Sequence, residues 1–260
     1  MPTALITGAS SGIGLAFAQA LGARSHHLVL VARDAGRLEQ VAATLRTAHG
    51  VDVEVLAADL SDRTALERVA DRLRDPDRPV DLLVSNAGFG IHTRFLDGDI
   101  AVEEQALDVL VRAVLVLTRA AAPPMVARGH GAVITVSSVA GFLYSGTYSA
   151  AKAWATTFTV SLAGELAGTG VTATALCPGF VRTEFHERLG VADRSRIAPD
   201  WAWLDADRLV ADCLADVAHG RALSIPSRRY RVAATLVRHV PLRLALRVGR
   251  RRPGRPDRPA

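Results

Sequence analysis

Ala4-Leu-Ile-Thr7-Gly8-Ala-Ser-Ser-Gly12-Ile-Gly14 is the stretch on which the fold turns. Four residues, mostly apolar, read as a strand, and three glycines then lead the chain into a helix from Gly12 to about Gly22. Glycine permits a tight turn and close approach to the backbone, while the helix start offers free N–H groups to an anion such as a pyrophosphate. A glycine turn alone is weak evidence. Here it stands between a strand and a helix, the setting in which such a site is built.

The same unit recurs outward along the chain. Leu28-Val-Leu-Val-Ala32 reads as a strand, followed by an amphipathic stretch over 34–49. A third strand over 53–57 precedes a helix over 61–74. Asp81-Leu-Leu-Val-Ser85 is a fourth strand, and a long helical pattern runs from about residue 102 to 128. A fifth strand, 132–136, leads to a helix through Tyr148 to Leu166, and Val171-Thr-Ala-Thr-Ala-Leu176 is a sixth. Apolar strands alternating with helices predict an α/β fold, a doubly wound, Rossmann-like parallel sheet in a single domain. Ligands are expected beyond the C-terminal strand ends. Residues 180–204 break the pattern, mixing Phe180, Phe185, His186, Trp201 and Trp203 with Pro199 and charges. A helix over 205–219 and a short strand over 222–226 resume it.

At 260 residues the chain can bury one sizeable core. Two cysteines, Cys177 and Cys213, are too few for a disulfide framework and suit a reducing cytoplasm, and Cys177 before Pro178 reads as core. The start lacks a signal-peptide pattern, and the best membrane-span candidate, 107–117, is interrupted by Arg112, so a protein integral to a membrane is not expected. The eight histidines show no metal-ligand spacing. Charge is unevenly spread. From Ser224 onward eleven arginines face one acid, Asp257, a net +10, which leaves the body at −5 against +5 for the whole chain. An acidic body argues against a nucleic-acid partner. Of 31 basic residues a single one is lysine, Lys152, which points to a position needing a compact ammonium.

Lys152 lies four residues after Tyr148 on the fifth predicted helix, so both project on one face. A phenol ordinarily ionises near pH 10, and a neighbouring ammonium lowers that value. A Tyr–Lys pair by itself can be a surface pair. Ser138, at the end of the fifth strand, adds a hydroxyl and turns the group into a candidate catalytic set. Ser137 competes for that role, since strand alternation points only one of the two at the site.

These motifs, in this order and each after its strand, resemble the short-chain dehydrogenase/reductase family over most of the chain. The spacing of Gly8, Gly12 and Gly14 matches its glycine turn, and Asn86-Ala87-Gly88 matches its Asn-Ala-Gly element, with Ser85 where Asn is common. Ser138, Tyr148 and Lys152 match its catalytic positions, and 178–183 its segment beside the nicotinamide. The resemblance implies an NADP(H)-dependent oxidoreductase interconverting a carbonyl and an alcohol. Tyr148 would be the acid/base, Ser138 would stabilise the substrate oxygen, and Lys152 would tune Tyr148 and hold the nicotinamide ribose. Gly8, Ser10, Ser11, Gly12, Ile13 and Gly14 would hold the cofactor's phosphates, with Asp59 and Leu60 near adenine. Asn86, Ala87, Gly88, Pro178, Gly179, Val181 and Thr183 would complete the cofactor site. NADP(H) is favoured over NAD(H) because Arg33 ends the second strand where the family places its 2′-phosphate arginine. Asp34 reads as a helix cap, and Asp59 equally as the cap of the helix starting near Ser61.

Leu110 falls where most relatives carry an Asn that relays protons to the lysine. A leucine can do neither half of that task, so the expectation is a relay that is absent or rerouted by water, with slower but persistent activity. Asp108 and Arg112 are expected on other faces of that helix. Phe180, Phe185, Leu189, Trp201, Trp203 and Leu204 lie where the family folds a lid, about 180–204, and together suggest a lipophilic substrate. They could also serve only to pack that lid. The catalytic domain is expected to span 1–226. The extension, 227–260, interleaves arginines with apolar residues, then ends in a disordered Arg/Pro-rich stretch from residue 250. Its helix could contact a membrane peripherally, a neighbouring subunit of a homo-oligomer, or the body's own apolar face. The reading from a different class is a non-catalytic NADP(H)-binding sensor or scaffold, which Leu110 favours and the intact Ser138, Tyr148 and Lys152 oppose.

Overall fold

The computed structural model describes residues 1–91, 93, 95–184 and 198–239. Phe185, His186, Leu189 and the chain beyond residue 239 lie outside the described residues. Seven parallel strands form the sheet: β1 (Thr3–Thr7), β2 (His27–Ala32), β3 (Val53–Ala57), β4 (Leu82–Ser85), β5 (Gly131–Val136), β6 (Val171–Leu176) and β7 (Leu223–Ser224). Their order is β3-β2-β1-β4-β5-β6-β7. The winding reverses between β1 and β4, and a crevice opens at their C-terminal ends, where doubly wound sheets bind ligands.

Helices cover both faces: α1 (Gly12–Gly22), α2 (Ala35–His49) and α7 (Ala206–Ala218) lie on one, and α3 (Arg63–Arg74), α5 (Ala113–Arg128) and α6 (Gly146–Glu165) on the other. Two apolar cores result, because alternate residues of each strand serve opposite faces. Leu30, Val84 and Ile134 pack with Phe17 of α1, whereas Leu5, Leu83 and Val133 pack with Leu117 and Met125 of α5.

Helix starts follow the local chemistry. Asp34, Asp62 and Asp205 cap α2, α3 and α7 by accepting the backbone N–H of Arg37, Ala65 and Arg208. The cap of α3 is therefore Asp62, not Asp59: the Asp59 carboxylate turns back instead to accept the Ser61 N–H and hydroxyl, at 2.9 and 2.7 Å. The long central helix also differs from its expected form. It begins as α4 (Ile100–Leu107), passes through a π-helical turn at Asp108–Arg112, and continues as α5. No residue type announces such a turn. At 29 residues it is long and apolar enough to cross a membrane by length and composition, contrary to the sequence expectation. More than half of its apolar window is buried in this fold, so it is placed as a core helix.

Beyond β6, the chain makes a single parallel bridge between Val181 and Leu204 and a short 3-10 turn at Asp200–Ala202. A final helix, α8 (Arg228–His239), packs back onto the body.

Candidate active site

The glycine turn is built by forced conformations and close approaches. Gly8 and Gly12 have φ of +67° and +56°, which side-chain-bearing residues rarely adopt. A Cβ at Gly14 would fall 2.2 Å from the Gly8 carbonyl oxygen, so α1 can start this close to the strand end only with glycine there. Asn86 ties the turn to β4: its Nδ2 donates to the carbonyls of Thr7 and Gly8 at 2.9 and 3.3 Å. The Thr7 hydroxyl in turn accepts the N–H groups of Asn86 and Ala87. Asn86 thus holds the shape of the turn through its side chain.

The start of α1 suits an anion. Its N-cap, Ser11, makes no side-chain capping bond, and no acid stands in the first turn, in contrast to the aspartate caps of α2, α3 and α7. Its first N–H groups and the hydroxyls of Ser10 and Ser11 are what a pyrophosphate needs. Ile13 beside them packs on the first core. Arg33, at the end of β2, is exposed, and its charge reaches Asp59. Burial works against the charged Asp59 carboxylate, but the Ser61 hydrogen bonds and Arg33 outweigh it and hold Asp59 below its usual range. Leu60 is buried beneath. These residues line one crevice wall and fit a dinucleotide.

The opposite wall belongs to β5, β6 and α6. Ser138 follows β5, and its side chain accepts the Ala140 N–H at 3.1 Å. It also stands beside the Tyr148 phenol and favours that group's ionised form. Ser137 points the other way: its hydroxyl donates to the Lys152 carbonyl at 2.7 Å and meets Thr156 of α6 at the same distance. Strand alternation therefore divides the pair, with Ser138 at the crevice and Ser137 anchoring α6. Lys152 is 6% exposed, and its Nζ donates to the Val136 carbonyl at 2.8 Å and lies 5.8 Å from the Tyr148 ring centre.

The electrostatics differ from the simple pairing expected of a phenol and an ammonium. Desolvation pushes Tyr148 up to about 12, with the Ser138 hydrogen bond opposing it. Desolvation also pushes Lys152 down to about 8, with Cys177 opposing. Burial dominates at both groups and keeps the phenol protonated, and so a proton donor.

Leu110 sits in the π turn, 1% exposed, packed with Ile91, Ala106, Ala151 and Tyr148. A Cβ at Gly88 would come within 2.8 Å of its Cδ2 and 3.8 Å of the Lys152 Nζ. Leu110 thus fills the space beside the lysine with hydrocarbon. Asp108 and Arg112 pair with each other at 2.6 Å, and Arg112 also donates to the Ser61 carbonyl.

Pro178, Gly179 and Val181 follow β6 along the crevice, with Val181 buried. Thr183 reaches the glycine turn: a Cβ at Gly12 would lie 3.3 Å from its side chain. Glu184 forms an ion pair with Arg37 of α2. Phe180 packs on Trp203 at 5.5 Å between ring centres, in a cluster with Ala198 and Ala202. Leu204 pairs by its backbone with Phe180 and Arg182. Trp201 faces outward, 66% exposed, with Arg229 of α8 over its ring. Trp203 and Leu204 therefore pack the lid, whereas Trp201 does not.

The residue that sequence reading missed is Tyr230. Its ring lies against Gly179, and its hydroxyl bonds to both Phe180 and Ala202. The available signal was the spacing of Tyr230, Ala234 and Val237, one helical face inside an arginine-rich tail.

Comparison with known proteins agrees with this geometry. A family model described as short chain dehydrogenase matches residues 2–193. A short-chain dehydrogenase from Sphingobium yanoikuyae, solved in complex with NADPH, is 34% identical; the match covers 99% of each chain with a TM-score of 0.83. The bulky-bulky ketone specific alcohol dehydrogenase from Comamonas testosteroni is 28% identical, covering 98% of this chain and 97% of that one with a TM-score of 0.79. A ketoacyl reductase from Nostoc sp., HetN, is 28% identical over 98% of this chain and 87% of its own length.

Proposed function

The chain belongs to the short-chain dehydrogenase/reductase family and is an oxidoreductase acting on alcohol and ketone groups, and from that premise we propose that it is an NADP(H)-dependent reductase of lipophilic ketones or aldehydes with Tyr148 as proton donor. The observation that carries the reading is the convergence of Ser138 and Tyr148 beside buried Lys152, whose Nζ lies 5.8 Å from the Tyr148 ring centre, at the crevice end that faces the glycine turn. Bound along the glycine turn, NADPH would supply the hydride. The protein's own groups do the rest. Ser138 donates a hydrogen bond to the substrate oxygen, and Tyr148 passes its proton to the same oxygen as negative charge grows there. Lys152 keeps a positive charge beneath both. Phosphate binding falls to Gly8, Ser10, Ser11, Gly12, Ile13 and Gly14, with Arg33 on the 2′-phosphate and Asp59 and Leu60 at adenine. Asn86, Ala87, Gly88, Pro178, Gly179, Val181 and Thr183 border the ribose and nicotinamide.

A lipophilic substrate is supported by Leu143 and Tyr144, exposed on the loop between Ser138 and Tyr148. The Sphingobium yanoikuyae relative, solved in complex with NADPH, supports NADP(H) as the cofactor, and the bulky-bulky ketone specific relative from Comamonas testosteroni supports a bulky ketone as substrate. We assign 1–226 to the catalytic domain, with its lid over about 180–204, and 227–260 to an extension. The extension could touch an anionic membrane peripherally, since α8 exposes Val232 and Leu236 among arginines. A cytoplasmic homo-oligomer completes the reading, and the two buried thiols, Cys177 and Cys213, suit a reducing compartment.

The test is cofactor oxidation with NADPH and with NADH against a panel of bulky ketones and aldehydes. Turnover is expected with NADPH in preference to NADH. Tight NADPH binding without turnover of any carbonyl would instead favour the second reading, a non-catalytic sensor, to which Leu110 beside Lys152 lends its one argument.

A further inference from the structure

Helix α8 meets the body with one face and solvent with the other. Tyr230 and Ala234, four residues apart, pack inward with Cys177, Ile225, Val139 and Phe142. Val232 and Leu236 stand on the outer face, 60% and 63% exposed. Arg228 and Arg229, four and three residues before Val232, border that apolar pair, and Arg231 is exposed on the same helix. The helix holds no acid. Trp201, 66% exposed, extends the patch beyond the helix: Arg229 donates to its carbonyl at 3.1 Å and lies over its ring. Charge is as one-sided as the apolar area. From Ser224 onward eleven arginines face one acid, whereas the chain before it carries a net −5.

We propose that the outer face of α8, together with Trp201, docks the protein on an anionic lipid bilayer. This rests on the reading of the extension as a peripheral membrane contact, and adds the face and the lipid charge. A bilayer offers what both halves of the patch require. Its phosphates take the arginines, and its upper acyl chains take Val232 and Leu236, as for an amphipathic helix lying in the interface. An indole beneath a guanidinium suits the headgroup layer, where aromatic rings with one polar atom collect. A nucleic acid would match the arginines but give the two aliphatic side chains no hydrocarbon. The acidic body is repelled by the same lipids, so the α8 side is the one turned toward them. Because α8 rests on the 3-10 turn Val139–Phe142, which leads on to the exposed Leu143 and Tyr144, docking brings the loop between Ser138 and Tyr148 near the bilayer.

The test is sedimentation of the full chain with vesicles of phosphatidylcholine alone and of phosphatidylcholine mixed with phosphatidylserine. Wild type is expected to bind the mixed vesicles at least about tenfold more tightly, and less so as salt is raised. Arg228→Gln with Arg231→Gln should weaken that binding about twentyfold, the scale of two charges near an anionic surface. Val232→Ser with Leu236→Ser should weaken it about tenfold, the scale of two aliphatic side chains kept out of hydrocarbon. Arg24→Gln, exposed on the turn between α1 and β2, is the control and should bind as wild type does. Full binding by either double variant would end the proposal while leaving the extension's membrane contact to its other residues. A loss in Arg24→Gln equal to that of the α8 arginine pair would end it as well. Wild type that sediments equally with both vesicles, or with neither, would end the proposal, and the second result would end the peripheral reading too. No turnover is read, so the outcome stands whether or not a ketone is reduced.

Discussion

The glycine turn and the lid meet where Gly12 faces Thr183, yet they are held in unlike ways. The turn is secured within a few residues of itself. Its φ values, the close approach of Gly14 to Gly8, and the tie through Asn86 and Thr7 all come from short motifs at strand ends. The lid is secured from a distance: Glu184 by Arg37 of α2, Phe180 and Ala202 by Tyr230 of α8. On the proposed function, a pyrophosphate that is the same for every substrate suits the rigid turn.

Breaking the rigid side should have the largest effect. Gly14→Ala sets a Cβ against the Gly8 carbonyl, and we expect a loss of about 3 kcal/mol of stability by thermal or denaturant unfolding, together with loss of NADPH binding. Arg33→Gln should leave the fold intact and cut the preference for NADPH over NADH by about ten- to hundredfold, since a charge-assisted bond to phosphate is at stake. Ratios of kcat/KM for the two cofactors measure it.

The catalytic floor between the two regions should respond to pH. Tyr148, pushed up to about 12, stays protonated throughout the accessible range. Lys152, pushed down to about 8, loses its charge as pH rises through that value. Reduction should therefore be flat below about pH 8 and fall about tenfold per unit above it, with Lys152 as the group that titrates. A profile flat to pH 10 would show that the Lys152 charge does not matter. Leu110→Asn should have the smallest effect. The amide enters an apolar pocket and costs about 1–3 kcal/mol of stability. If a water-linked relay to Lys152 can form there, kcat rises modestly; turnover unchanged across pH would remove support for the missing-relay account.

This contrast also marks what could be read from residues alone. The sheet, its winding and the crevice were legible because strands alternate with helices and each motif follows its own strand. Ser138, Tyr148 and Lys152 do converge in space, and Ser137 turns instead to bond the Lys152 carbonyl and Thr156 of α6. The π turn at Leu110 was not legible, because no residue type in 108–112 marks such a turn. The depressed Lys152 was not legible either, since burial is a tertiary property that reversed the expected balance with Tyr148. Tyr230 was hidden for a related reason. Its partners are backbone groups of the lid, and backbone groups leave no mark on sequence.

The most direct test of the central claim pairs NADPH binding with turnover in wild type and Tyr148→Phe. The account predicts closely similar NADPH affinity in the two proteins and, with a ketone that wild type reduces, a kcat lowered about 10²- to 10⁴-fold in the variant, the scale of lost general-acid catalysis. Turnover by Tyr148→Phe at a rate close to wild type would contradict it.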